Sequence, residues 1–116
     1  VCVPTPMKKS GKCDTRIVES VLDEIHRYSL VNDVPKIAVV KSTIPPGSTA
    51  MWNDKFGRSK LRVVFNPEFL TEANAKQDFL NQNRIVLGGP VANLWTTKTI
   101  VLPVILYVQH QQLLNL

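Results

Sequence analysis

A chain of 116 residues with 44% hydrophobic and 20% charged side chains has the size and mix of one small globular domain, which excludes a disordered or collagenous polymer. The net charge of +5 leaves a polyanionic partner open, but the tightest basic cluster, Lys8, Lys9 and Lys12, has no interleaved aromatics, so a nucleic-acid partner has charge alone in its favour. A membrane partner is not expected either: the longest apolar run, Ile100 to Val108, contains Pro103 and falls far short of the roughly 20 residues a spanning helix needs.

Val1 to Val3 reads as the end of a buried strand stopped by Pro4 and Pro6, and a polar loop follows through Lys12. The chain opens on Val1 rather than Met, so further sequence upstream is expected. Asp14 is the expected N-cap of a helix reaching about Tyr28. Ile17, Val18, Val21, Leu22 and Ile25 recur on one face of that helix, as helical periodicity requires. Pro35 closes the connection, and Ile37-Ala38-Val39-Val40 is a continuous apolar run suited to a strand buried on both faces. After the turn Ser42-Thr43-Ile44-Pro45-Pro46-Gly47, the spacing predicts a helix from Ser48 to Phe56 closed by Gly57 at its C′ position. Leu61 to Phe65 is a third strand, broken by Asn66-Pro67, and Glu72 to Leu80 a short helix. Arg84 to Leu87 is a fourth strand, ended by Gly88-Gly89-Pro90. Beyond it, residues 94–98 and 100–108 read as a further helix and strand.

Strands alternating with helices in this way predict an α/β fold, a doubly wound parallel sheet. Ligands of such sheets sit beyond the carboxyl ends of the strands. Pro4-Thr5-Pro6, Ser42-Thr43-Ile44-Pro45 and Asn66-Pro67-Glu68 all fall there, so they are expected to form one site. The cysteines, Cys2 and Cys13, make neither a disulfide framework nor a metal pattern with His26 and His110, which suits a reduced, cytoplasmic protein. Cys2 is expected to pack within its strand, and Cys13 to lie in a surface loop.

Four segments also resemble one family in order and spacing. They are Val1-Cys2-Val3-Pro4-Thr5-Pro6, Lys41-Ser42-Thr43-Ile44-Pro45-Pro46-Gly47-Ser48-Thr49, Asn66-Pro67-Glu68-Phe69-Leu70-Thr71-Glu72-Ala73 and the stretch from Asp78 to Gly89. The family is that of the UDP-glucose/GDP-mannose dehydrogenases, with the UDP-glucose branch favoured. The resemblance implies a partial Rossmann-like sheet lacking its first βαβ unit: residues 1–90 as the second part of an NAD-binding domain, and 91–116 as a divergent tail. It implies NAD as cofactor, a nucleotide sugar as substrate, and oxidation of the sugar's C6 alcohol to a carboxylate in two hydride transfers. Full-length relatives are expected to be homo-oligomers.

Site residues follow from the same resemblance. Thr5 would lie against the cofactor. Thr43 would hold an active-site water near the nicotinamide, and Glu68 would move protons through that water during hydrolysis of a thioester intermediate. Phe69 and Leu70 would meet the nucleotide sugar through backbone groups, and Glu72 would lie close to cofactor and substrate. Closed, partly dry surroundings can tune a carboxylate for such work. Each residue also has an ordinary reading: Thr5 and Thr43 as turn residues, Glu68 as a solvated loop carboxylate, Glu72 as a first-turn acid. The 116 residues contain no Gly-x-Gly-x-x-Gly turn to hold a pyrophosphate, and neither cysteine has the Gly-rich context of the family's nucleophile. Two readings stay open: an incomplete, inactive piece of the enzyme, or a non-catalytic module that binds a nucleotide or nucleotide sugar or assembles with a partner.

Overall fold

The computed structural model describes residues 1–57, 59–82 and 85–90. Arg84 and the elements expected over 94–98 and 100–108 lie outside the described residues.

The central pair is parallel. Strand β1 (Lys36–Val40) pairs with β2 (Leu61–Phe65) in the register Lys36 to Leu61 through Val40 to Phe65. Helix α2 (Ser48–Lys55) lies between them in sequence, and helix α1 (Arg16–Val31) precedes β1. On the far edge of β1, the Val1 nitrogen donates to the Val39 carbonyl and Lys41 N–H donates to the Val1 carbonyl at 2.9 Å. That exchange, from one residue to two flanking positions of its neighbour, is the parallel pattern. Ser42 Oγ then continues it with its side chain, accepting from Val3 N–H at 2.8 Å and donating to the Val3 carbonyl at 2.7 Å. Residues 1–3, β1 and β2 thus run side by side and end together.

The sheet's register decides which face is covered. Ala38, Val40, Leu61 and Val63 share one face and are buried with Val18 and Leu22 of α1 and Trp52 of α2. Ile37 and Val39, on the other face, are only half-buried. The expectation that β1 is buried on both faces is therefore corrected, because α1 and α2 both pack on the Ala38 and Val40 side. The two helices also touch each other, through the His26 and Phe56 rings at 5.0 Å and the Lys55 to Asp23 ion pair at 2.8 Å.

Helix ends depart from expectation in instructive ways. The N-cap of α1 is Thr15 rather than Asp14. Asp14 is instead gripped by Arg16, whose backbone N–H and guanidinium donate to it at 2.6–3.2 Å, and this holds its carboxyl well below the usual carboxylate range. The helix also runs on past Tyr28 to Val31, where buried Ser29 donates to the Val34 carbonyl at 2.6 Å. Helix α2 begins on Gly47, at φ 87°, in the left-handed region where any side chain is strained. Gly57 occupies C′ without a left-handed φ; glycine is required because a Cβ would come within 2.9 Å of the Asn53 carbonyl oxygen.

The expected fourth strand does not form over residues 85–87. Phe65 exchanges backbone hydrogen bonds of 2.7 and 2.8 Å with Gly88 in an isolated antiparallel bridge. Further along the same edge, the Asn53 side chain from α2 accepts from Val63 N–H at 3.0 Å and donates to the Val63 carbonyl at 2.8 Å. One glycine and one amide take the places a strand would have filled. The short helix expected from Glu72 is present as a 3₁₀ turn, Glu72–Asn74, running into helix α3 (Ala75–Asn81).

Candidate functional site

Where residues 1–3, β1 and β2 end, their following segments border an open cleft of about 480 Å³ lined by Cys2, Val3, Pro4, Thr5, Lys41, Ser42, Thr43, Glu68 and Leu70. Proline explains the local shape. Pro4 and Pro6 flank Thr5, Pro45 and Pro46 follow Ile44, and Pro67 precedes Glu68; each lacks a backbone donor and cannot extend the sheet. The chain is turned out of the sheet at three adjacent points, and hydroxyl and carboxylate side chains occupy the turns.

Four of the six expected site residues, Thr5, Thr43, Glu68 and Leu70, line this cleft. Phe69 and Glu72 are not among its lining residues; both are exposed, and Glu72 opens the 3₁₀ turn. The surroundings of Glu68 are wetter than expected: its side chain is 35% exposed and forms an ion pair with the Lys41 ammonium. Lys41 Nζ also donates to Asn66 Oδ1 at 3.2 Å. Asn66 is buried, its Nδ2 donates to the Val86 carbonyl at 3.0 Å, and its N–H donates to the Val40 carbonyl at 2.9 Å. The loop carrying Glu68 is therefore fastened to the end of β1 by both backbone and side chain.

Ser42 lines the cleft and Asn66 braces it, both within the strand-end segments expected to form one site, whereas sequence reasoning gives Lys41 and the two cysteines no part in it. Cys2 is exposed and lines the cleft, which corrects its expected packing within a strand. Cys13, expected in a surface loop, is half-buried with Sγ 3.9 Å from the Thr5 carbonyl oxygen and 3.6 Å from that of Thr43. Its single S–H serves one of them at a time, a weak tie behind two cleft residues. A lysine directly ahead of Ser42-Thr43 was the available signal for Lys41, but spacing alone does not tell a cleft cation from a solvated one.

Beyond Leu70, the Thr71 N–H and hydroxyl donate to Asp78 Oδ2 at 2.8 and 2.6 Å, which holds the Asp78 carboxyl below its ordinary value of 3.8. The clamp's contribution is complete above that ordinary value and is lost as pH falls through the lower folded value. Protection of the Thr71 amide, followed by NMR, should stay constant from neutral pH to about pH 4 and fall only below it. Asp78→Asn should flatten that acid dependence; an unchanged profile would show the clamp to be absent in solution.

A polar cleft at the carboxyl ends of parallel strands, with helices packed on the sheet, is where α/β domains of the nucleotide-binding kind hold their ligands. Residues 1–101 match the model of the UDP-glucose/GDP-mannose dehydrogenase family, NAD binding domain, and the chain belongs to that family. The UDP-glucose 6-dehydrogenase of Rickettsia bellii is 40% identical over 93 residues, covering 76% of this chain and 20% of that protein. An uncharacterized protein of Methanocaldococcus jannaschii is 36% identical over 88 residues, covering 76% of this chain and 10% of its own length. Among solved structures, a GDP-mannose dehydrogenase from Pseudomonas aeruginosa superposes with a TM-score of 0.71 at 25% identity, covering 97% of this chain and 30% of that one. A UDP-glucose dehydrogenase from Pyrobaculum islandicum gives a TM-score of 0.67 at 34% identity, covering 83% and 23%. The chain spans a fifth or less of these curated relatives.

The family's cofactor is NAD, and the residues present fit one part of it. Thr5 and Thr43 line the open cleft, and a hydroxyl side chain can both donate to and accept from the polar groups of a ring or ribose. Among the described residues, no helix is long and apolar enough to cross a membrane, and no group of three or more His, Cys, Asp or Glu side chains is placed to hold a metal ion.

Proposed function

We propose that this chain forms one wall of the active site of an NAD-dependent nucleotide-sugar dehydrogenase, with UDP-glucose as the substrate. What supports this reading is that Thr43 and Glu68, from the ends of adjacent strands, line the same cleft. NAD, when bound, supplies the acceptor for each hydride leaving the sugar's C6 carbon. The chain's own residues do the rest of the work assigned to this wall. Thr5 and Thr43 hold the cofactor's near end, and the Thr43 hydroxyl orients a water without adding charge. Glu68 takes a proton from that water as its oxygen adds to the carbon of the thioester intermediate. The C–S bond then breaks, leaving the carboxylate and a thiolate to which the proton returns. Phe69 and Leu70 meet the nucleotide sugar through backbone groups, and Glu72 stands at the cofactor and substrate boundary. The complete enzyme is a cytoplasmic homo-oligomer in this reading.

The 116-residue polypeptide itself holds Thr43 and Glu68 but no Gly-x-Gly-x-x-Gly turn. That combination favours a second reading, a module that binds the nucleotide sugar without turning it over. Titration of the isotope-labelled chain with UDP-glucose should shift the amides of Thr5, Thr43, Glu68 and Leu70. NAD should bind with a dissociation constant above about 1 mM, and no NADH should form. Amide shifts confined to a different surface would sink the placement of the substrate. Steady NADH formation abolished by Glu68→Gln would establish turnover by the chain alone.

A further inference from the structure

The Lys41 ammonium is the only side-chain cation lining the cleft among the described residues. An exposed lysine and glutamate in contact commonly contribute little, because water screens the pair and both side chains stay mobile. The setting of this pair is different. Both side chains are about one-third exposed, 30% for Lys41 and 35% for Glu68, but the same ammonium is anchored 3.2 Å from the side-chain oxygen of buried Asn66. Asn66 is itself fixed through the Val40 and Val86 carbonyls. The backbone N–H of Lys41 donates to the Val1 carbonyl, so one residue touches all the segments that end at the cleft. Networks of this kind hold their members more firmly than separate pairs.

We infer that Lys41 is the positioning residue for Glu68: anchored on Asn66, its ammonium fixes the carboxylate over the cleft before any ligand arrives. The contact uses Oε1, which leaves the second oxygen to a water or a ligand. Glu68 sits three residues past the end of β2, in a loop where a glutamate without a partner samples several rotamers. Fixing it in advance removes a reorganisation that a proton-handling group otherwise undergoes during reaction. The inference rests on the reading of Glu68 as that group, while its physical core, a lock on one side chain, is open to measurement without any ligand.

The test uses the full chain with Lys41→Met and Lys41→Arg, each first shown to keep the amide spectrum of the core. Side-chain scalar couplings of Glu68 should report one rotamer in the unsubstituted chain, averaging in Lys41→Met, and a single rotamer again in Lys41→Arg. Calorimetry with UDP-glucose should show affinity reduced about tenfold in Lys41→Met and restored to within about threefold in Lys41→Arg. Lys41→Met should add no further loss once Glu68→Gln is present, as expected of a residue acting through another. A single Glu68 rotamer surviving in Lys41→Met overturns the lock. Fully additive losses in the double variant also overturn it, since the ammonium then touches the ligand itself. If UDP-glucose fails to bind the unsubstituted chain while the rotamer still depends on Lys41, the lock stands and the nucleotide-sugar reading falls.

Discussion

Trp52→Ala is expected to lower the free energy of unfolding by about 3–5 kcal/mol, the range for emptying an aromatic site in a packed core. Trp52 is 1% exposed and lies where α1, α2, β1 and β2 meet, clustered with Val18, Leu22, Ala38, Val40, Leu61 and Val63. Small domains have roughly 5–15 kcal/mol in total, so this single truncation removes much of the margin. Because the sheet and both helices share the cavity, no one element can relax to fill it. Trp52→Phe separates volume from polarity. The indole Nε1–H is buried with no partner among the described residues, and phenylalanine removes that unpaired donor together with part of the ring. Its expected cost is below about 2 kcal/mol, since losing an unsatisfied donor offsets some lost contact. Urea unfolding followed by circular dichroism compares the variants directly, and coincident midpoints for the alanine and unsubstituted chains would refute the packing argument.

The alternation of elements was legible because it rests on local chemistry. Short runs rich in β-branched residues, Ile37 to Val40 and Leu61 to Phe65, favour strands over helices. Proline after each run marks where they stop, and the ligand rule for parallel sheets then locates the cleft before any geometry is known. Thr5, Thr43, Glu68 and Leu70 fall at that cleft because position along the chain sets them at strand ends. What stayed hidden depends on which partner a side chain takes, and spacing does not reveal that whether the partner is near or far in sequence. The α1 cap moved to Thr15 because Asp14 is engaged by the Arg16 guanidinium, and no local signal distinguishes a capping aspartate from a gripped one. Likewise Lys41 and Glu68 are 27 positions apart, and Asn66 bonds Val86 across 20. Such contacts exist only once β1 and β2 have paired.

Residues 85–87 depart from the expected strand because the edge they would join is partly occupied. Ile85-Val86-Leu87 has the composition of a strand, but composition says only what a segment tolerates, not whether an edge is free to receive it. Two groups on the outer edge of β2 are already taken by the Asn53 amide, so pairing resumes only at Phe65 and Gly88.

Asn53→Leu is accordingly expected to cost about 2–4 kcal/mol, although the side chain keeps its branch at Cγ. Val63 is fully buried, and the substitution leaves both its N–H and its carbonyl without the partner that α2 supplied. Each buried backbone group left unpaired costs about 1–3 kcal/mol, more than the bond itself contributes when made. Asn53 Nδ2 also donates to the Thr49 carbonyl at 2.9 Å, but a helix carbonyl four residues back retains its backbone partner in the substituted helix, so that loss matters less. Asn53→Asp is the sharper probe: it keeps the acceptor for Val63 N–H and sets a carboxylate oxygen against the Val63 carbonyl, where like partial charges repel. Its destabilisation should match or exceed that of leucine at neutral pH and ease as the carboxylate takes up a proton, because the protonated acid can donate again. Amide exchange at Val63, measured beside the urea midpoint, localises the effect. Exchange that stays as slow as in the unsubstituted chain would mean that the edge is protected by something other than this amide.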